Sequence, residues 1–272
     1  MQYKNTRTPS NTLLQNEYDA VKQVHDGPRP CPGVVAAPRM YKHVDDFGLP
    51  RFSLVYPKYS MDLFDFMDLY AKRHRMLIPE QVARAWIAQM LLSISVCVAQ
   101  GVVHRDLKLE NVLLDEYGNC VISDFGLAYL ADADVTDNVN IVGTPMYIPP
   151  EAIKERRVYK SKHDMWSLGV LAWEIVSNGN PWRLDGDLPA KKLFEVTTET
   201  TKGGFEKETY MSDEMYEFIA GCVCPVEERL TPKEAMLLPL FEGIRFESEA
   251  LFASGRARGD LKDVAGLLDA CS

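Results

Sequence analysis

Between Met165 and Val176 the chain is apolar nearly all round, so no helix drawn there has a polar face to offer water. A helix of that kind has to be enclosed. It is read as a central buried helix, stopped by Asn178, Gly179 and Pro181. The rest of the chain must then be built around it. The longest near-apolar run, Met90 to Ala99, is broken by Ser93 and Ser95. It falls short of the roughly 20 residues a bilayer requires.

Composition allows such an enclosure. Of 272 residues, 46% are hydrophobic and 25% charged, which excludes a disordered chain and a coiled coil. The net charge of −9 makes nucleic acid and anionic membrane poor partners. The first thirty residues lack a signal-peptide apolar core and contain Pro9, Pro28 and Pro30. The expected setting is intracellular and cytoplasmic, with the nucleus left open. Cys31, Cys97, Cys120, Cys222, Cys224 and Cys271 are scattered, as reduced thiols are. The C-x-C pair at Cys222 and Cys224 has no second pair to complete a zinc site.

The local pattern gives a small mixed front and a larger helical rear. Thr12 to Gln15 is a capping-box start for a helix to about Val24. Gly27 to Pro38 reads as loop, then short strands follow at Pro38 to Lys42 and Phe52 to Tyr56. Helix resumes after Met61. Pro79 and Glu80 open a long helix to about Gln100, with Val82, Trp86, Met90 and Ile94 on a buried stripe. Val112 to Leu114 and Cys120 to Ile122 form a hairpin around Gly118 and Asn119, and a long loop runs from Asp124 to Glu151.

The chemistry-bearing letters sit around that hairpin. His104-Arg105-Asp106-Leu107-Lys108-Leu109-Glu110-Asn111 precedes it, and Asp124-Phe125-Gly126 follows it. Gly143-Thr144-Pro145 and Pro149-Pro150-Glu151 close the loop. In this order and spacing the set resembles the eukaryotic-type protein kinase family, serine/threonine class, over about residues 12 to 241. The resemblance implies an α+β, two-lobed protein kinase-like fold with a mainly α large lobe. Its expected divisions are 1–59 (a partial small lobe and hinge), 60–241 (the catalytic lobe) and 242–272 (a tail).

Each residue then acquires a role by resemblance. Asp106 is the catalytic base, Lys108 neutralises the transferring phosphate, and Asn111 and Asp124 hold Mg2+. Tyr56 falls at the gatekeeper position, Tyr59 offers its main chain to the base of ATP, and Asp62 falls where ribose is contacted. Glu17 lies on the apolar face of Leu14, Val21 and Val24. It resembles the helix glutamate that pairs with the ATP-positioning lysine, and an acid at the edge of a narrow stripe is the other reading. In the activation segment Arg105, Phe125, Gly126 and Thr144 take family positions. Glu151 pairs with Arg229, and Asp164 braces the catalytic-loop backbone. Pro149 stands where alanine is usual. Glu110, Asp65 and Asp68 suggest protein substrates with Arg or Lys near the accepting Ser or Thr.

Two family parts are not found. No Gly-rich loop precedes Glu17, and Lys4, with only Met1, Gln2 and Tyr3 before it, has no apolar strand to hold it. The expected small lobe is therefore truncated to its helix and last two strands. That favours an amino-truncated kinase domain, with a non-catalytic kinase-like module that binds a regulatory partner as the alternative. Leu261, Val264 and Leu268 are expected to dock the tail as an amphipathic turn.

Overall fold

The computed structural model describes residues 2–4, 11–28, 31–44, 46–179, 181–182, 195, 206–253, 264 and 268. Its first elements are strand β1 (Gln2–Lys4), helix α1 (Asn11–His25), and strands β2 (Arg39–Val44) and β3 (Pro50–Tyr56). β3 is central and antiparallel to both neighbours, in the order β1-β3-β2. β1 aligns Gln2 with Tyr56 and Lys4 with Leu54. The small sheet thus has three strands where the sequence led us to expect two. A three-residue polar segment carries no period-two signal; pairing with β3 makes it a strand. α1 buries Leu14, Glu17, Ala20, Val21 and Val24, the helical spacing that puts one face on the sheet.

The link from α1 to β2 is not a free loop. Val35 N–H donates to the Ile122 carbonyl and Ile122 N–H to the Gly33 carbonyl, both at 2.9 Å. The small lobe is therefore stitched to the large one behind the hinge.

The large lobe begins with β4 (Met61–Asp62), α2 (Leu63–His74) and α3 (Glu80–Ala99). Asp62 caps α2, its carboxylate accepting from Asp65 N–H at 2.8 Å. α3 runs where Pro79 and Glu80 were expected to open a long helix. By length and composition it could cross a membrane, but 67% of its apolar window is buried inside the protein. Trp86, Ile87, Met90 and Leu91 are wholly enclosed.

Next come β5 (Val102–Val103), β6 (Val112–Leu114), β7 (Cys120–Ile122), β8 (Tyr129–Leu130), β9 (Val135–Thr136), α4 (Pro150–Lys154) and β10 (Val158–Tyr159). β4, β6 and β7 form one antiparallel sheet. The expected long loop from Asp124 is pinned along its course: β8 pairs with β5 and β9 with β10. Two-residue strands exist only through such partners, which the local sequence does not reveal.

Helix α5 (His163–Ser177) is the enclosed helix, buried from His163 through Val176 and ended by left-handed Asn178 at φ 52°. α3 and α6 (Asp213–Cys222) pack on it. α7 (Pro232–Ala235) follows, opened by a capping box between Thr231 and Glu234. The described cysteines, Cys31, Cys97, Cys120, Cys222 and Cys224, are free thiols.

The tail is part of the core. In α8 (Ser248–Ala253) Leu251 is fully buried, and Val264 and Leu268 join the same cluster; Leu261 lies outside the described residues. Gln89 Nε2 donates to the Leu251 carbonyl and Asn119 Nδ2 to that of Phe252, both at 3.3 Å. Phe252 closes over Gly33, where an added Cβ would lie 2.4 Å from the ring and 2.1 Å from Ser93 Oγ. Phe252→Ala is expected to cost about 3 kcal/mol of unfolding free energy, as truncation of a buried aromatic does, read by urea denaturation.

Candidate active site

The catalytic loop hangs from α5. Asp164, in the first turn, accepts the N–H of His104 at 2.8 Å and of Arg105 at 3.0 Å. Arg105 needs that support, since its φ is 68°. His104 Nδ1 accepts from Asp106 N–H at 3.2 Å, so its proton sits on Nε2, which donates to the Ser123 carbonyl at 2.8 Å. The same ring meets Phe125 edge-on at 4.6 Å. One histidine thereby joins Asp106 to the segment carrying Asp124.

Asp106 is held from two sides. Its Oδ1 accepts the N–H of Thr144 at 2.9 Å and its hydroxyl at 2.8 Å. Its Oδ2 accepts from Asn111 Nδ2 at 3.1 Å and lies 3.5 Å from Lys108 Nζ. Lys108 in turn donates to Thr144 Oγ1 at 2.9 Å. Thr144 comes this close because Gly143, at φ 103°, leaves no room for a side chain: a Cβ there would be 2.4 Å from the Arg105 carbonyl oxygen.

Beside this network lies a cavity of about 220 Å³, lined among others by Glu17, Tyr56, Tyr59, Asn111 and Asp124. Tyr56 Oη donates to Glu17 Oε1 at 2.8 Å. Burial, then Glu17, raises the Tyr56 phenol well above its ordinary value, so it stays a donor. The Tyr59 phenol is raised by burial and bonded to the Ala36 backbone. Asp62 is not among the cavity's lining residues, and one of its oxygens is committed to capping α2.

The donor chemistry suits magnesium. Asn111 Nδ2 is spent on the Asp106 carbonyl and carboxylate, which leaves its oxygen for a cation. Asn111 and Asp124 bring hard oxygens to one cavity, and among the described residues no cluster of three or more His, Cys, Asp or Glu is formed. Two protein oxygens completed by phosphate and water is the way Mg2+ is commonly held.

The activation segment is anchored at both ends. Arg105 Nε donates to the Leu127 carbonyl at 2.8 Å, and its guanidinium sits 5.3 Å over the Tyr129 ring. At the far end Arg229 makes a forked pair with Glu151, 2.6 and 3.0 Å, and is also bonded to the Lys162 and Cys224 carbonyls. Pro149, the departure from alanine, takes φ −68° just outside α4, a value proline's ring prefers.

One acid escaped the sequence reading. Glu174, inside α5, accepts from Tyr147 Oη at 2.5 Å. Burial pushes its carboxyl up to about 8, with Glu110 adding to the effect. The available signal was a carboxylate in an otherwise enclosed helix, which has to find a partner.

A family model for the protein kinase domain matches residues 4–241. The chain belongs to the protein kinase family. Its relatives are of the serine/threonine class. CBL-interacting serine/threonine-protein kinase 20 of Arabidopsis thaliana is 31% identical over 169 residues, 61% of this chain and 37% of that one. CBL-interacting protein kinase 28 of Oryza sativa subsp. japonica is 32% identical over 160 residues, 58% and 35% of the two chains. Probable serine/threonine-protein kinase MARK-C of Dictyostelium discoideum is 33% identical over 175 residues, 64% and 21%. The alignments span about a third or less of the length of these curated relatives.

Arg229→Ala leaves Glu151 buried without its partner and should cost about 3–5 kcal/mol in a denaturant melt. Thr136 sits in the short β9–β10 ladder opposite Val158, and Arg105 already has its contacts. Phosphotransfer by Thr136→Ala is accordingly expected within about twofold of the unsubstituted kinase, since no contact to Asp106 or the cavity is lost.

Proposed function

We propose that this kinase domain transfers the γ-phosphoryl group of magnesium-ATP to Ser and Thr hydroxyls of protein substrates, with Asp106 as base. The supporting observation is the network that aims Asp106: Thr144 and Asn111 hold its two oxygens beside the cavity lined by Asn111 and Asp124. Asp106 accepts the proton of the substrate hydroxyl, and Lys108 brings positive charge to the transferring group. Magnesium, when bound, supplies charge neutralisation at the phosphates. Asn111 and Asp124 would hold it. The Tyr59 main chain enters no hydrogen bond among the described residues, which fits a role in receiving the base.

Lys4 is the candidate for the ATP-positioning lysine. The sequence reading found no strand to carry it, whereas β1 sets it opposite Leu54, beside the strand that ends at Tyr56. Lys4→Met should lower kcat/KM about 10²–10³-fold, the size of one lost preorganised contact.

The carboxylates support a substrate class. Glu110 acts electrostatically on Glu174 and on Asp62, and Asp65 on Asp62, so these acids share one region. We infer a preference for Arg or Lys near the accepting residue. Free thiols support a reducing, cytoplasmic setting. The names of the CBL-interacting relatives prompt the proposal of a regulatory protein partner.

Phosphotransfer to a generic Ser/Thr substrate tests the reading, with Asp106→Asn as control and an expected loss of about 10²–10⁴-fold. Equal background in both proteins would leave the non-catalytic, partner-binding alternative. A second measurement concerns the buried Glu174. Glu174 titrates near 8 when folded against 4.5 as its ordinary value. The folded state then holds the extra proton between those values, and the stability it contributes falls as pH rises through that window. Unfolding free energy, read by urea denaturation, should therefore decline between about pH 5 and pH 8, and Glu174→Gln should flatten that decline.

A further inference from the structure

We propose that Tyr56 is a positioning residue: its phenol holds Glu17, and through Glu17 the helix α1, in place at the nucleotide cavity. The proposal rests on the kinase reading for its effect on catalysis, but the latch itself does not.

Tyr56 is the last residue of β3, and its Oη reaches 2.8 Å to Glu17 Oε1 across 39 residues of chain. Glu17 is 3% exposed and Tyr56 half-buried, so the bond is partly shielded from solvent at the cavity wall. A phenol donating to a carboxylate belongs to the stronger class of hydrogen bonds. The adjacent residue supplies a second tie. Asn16 Nδ2 donates to the carbonyls of Gly126 at 3.0 Å and Ala128 at 2.8 Å. Consecutive residues of α1 therefore grip the hinge strand on one side and the segment following Asp124 on the other. Farther along, Gln23 Nε2 donates to the Gln100 carbonyl at 2.6 Å. The placement of α1 is thus written into the cavity wall. A phenylalanine at position 56 would fill the same space without the bond, which separates positioning from packing.

The test uses the full chain without nucleotide. Amide hydrogen exchange of α1 is compared between the unsubstituted protein and Tyr56→Phe, with α5 amides as internal reference. Exchange in α1 should quicken about tenfold while α5 stays unchanged, as loss of one hydrogen bond to a charged group predicts. Glu17→Met, which keeps the volume and removes the acceptor, completes a cycle with the double substitution. If Tyr56 acts through Glu17, adding Tyr56→Phe to Glu17→Met changes α1 exchange less than twofold; additive effects would overturn the proposal. So would unchanged α1 exchange in Tyr56→Phe. In phosphotransfer, Tyr56→Phe should lower kcat about tenfold with peptide KM within twofold; quickened exchange with unaltered kcat would sink the positioning role. Activity of the unsubstituted chain no higher than that of Asp106→Asn would count against the kinase reading alone, and the exchange cycle would still decide the latch.

Discussion

A single carboxylate joins the core of this protein to its chemistry. Asp164 is part of α5, which is buried on every side and so cannot shift without opening the large lobe. Its two oxygens accept the N–H groups of His104 and Arg105. Bonds of this charged type are worth about 1.5–3 kcal/mol each, enough to hold Arg105 at a positive φ it would otherwise leave. The position of Asp106 follows from that of its neighbour. The far end of the activation segment is referred to the same helix, because Arg229, forked to Glu151, lies 5.0 Å over the Trp166 ring. A buried pair of this sort adds little net stability but fixes where both segments must be.

The small lobe is positioned by a different logic. α1 has few wholly local reasons to sit where it does, and its place is decided by distant partners: Tyr56, Gly126, Ala128 and Gln100. Behind the hinge, Gly33 and Val35 exchange backbone bonds with Ile122, and Phe252 closes over Gly33. The lobes are therefore joined at the rear as well as through residues 57 to 60. A tail that looked like an appendage belongs to that rear joint.

Much of this was legible in the sequence where a pattern repeats. α5 and α3 announce themselves because burial over several turns forces apolar letters at every angle. The β6–β7 hairpin was readable from two apolar triplets flanking a turn. β1, β8, β9 and β10 were not, because two or three residues cannot show a period. Asp62 was assigned to ribose by its position in a motif, while locally it had an unsatisfied helix end to cap. Glu174 was hidden by its own helix, since apolar neighbours on all sides mask one acid.

The sequence by itself determined which functional groups exist: a carboxylate at 106, an amine at 108, an amide at 111, a second carboxylate at 124, at spacings that belong to one family. Tertiary structure decided what each group faces. Thr144 meets Asp106 across 38 residues and Asp164 meets His104 across 60. Contacts over such separations carry no local signal, because their geometry is set by how the lobes close around α5 and not by the residues between them.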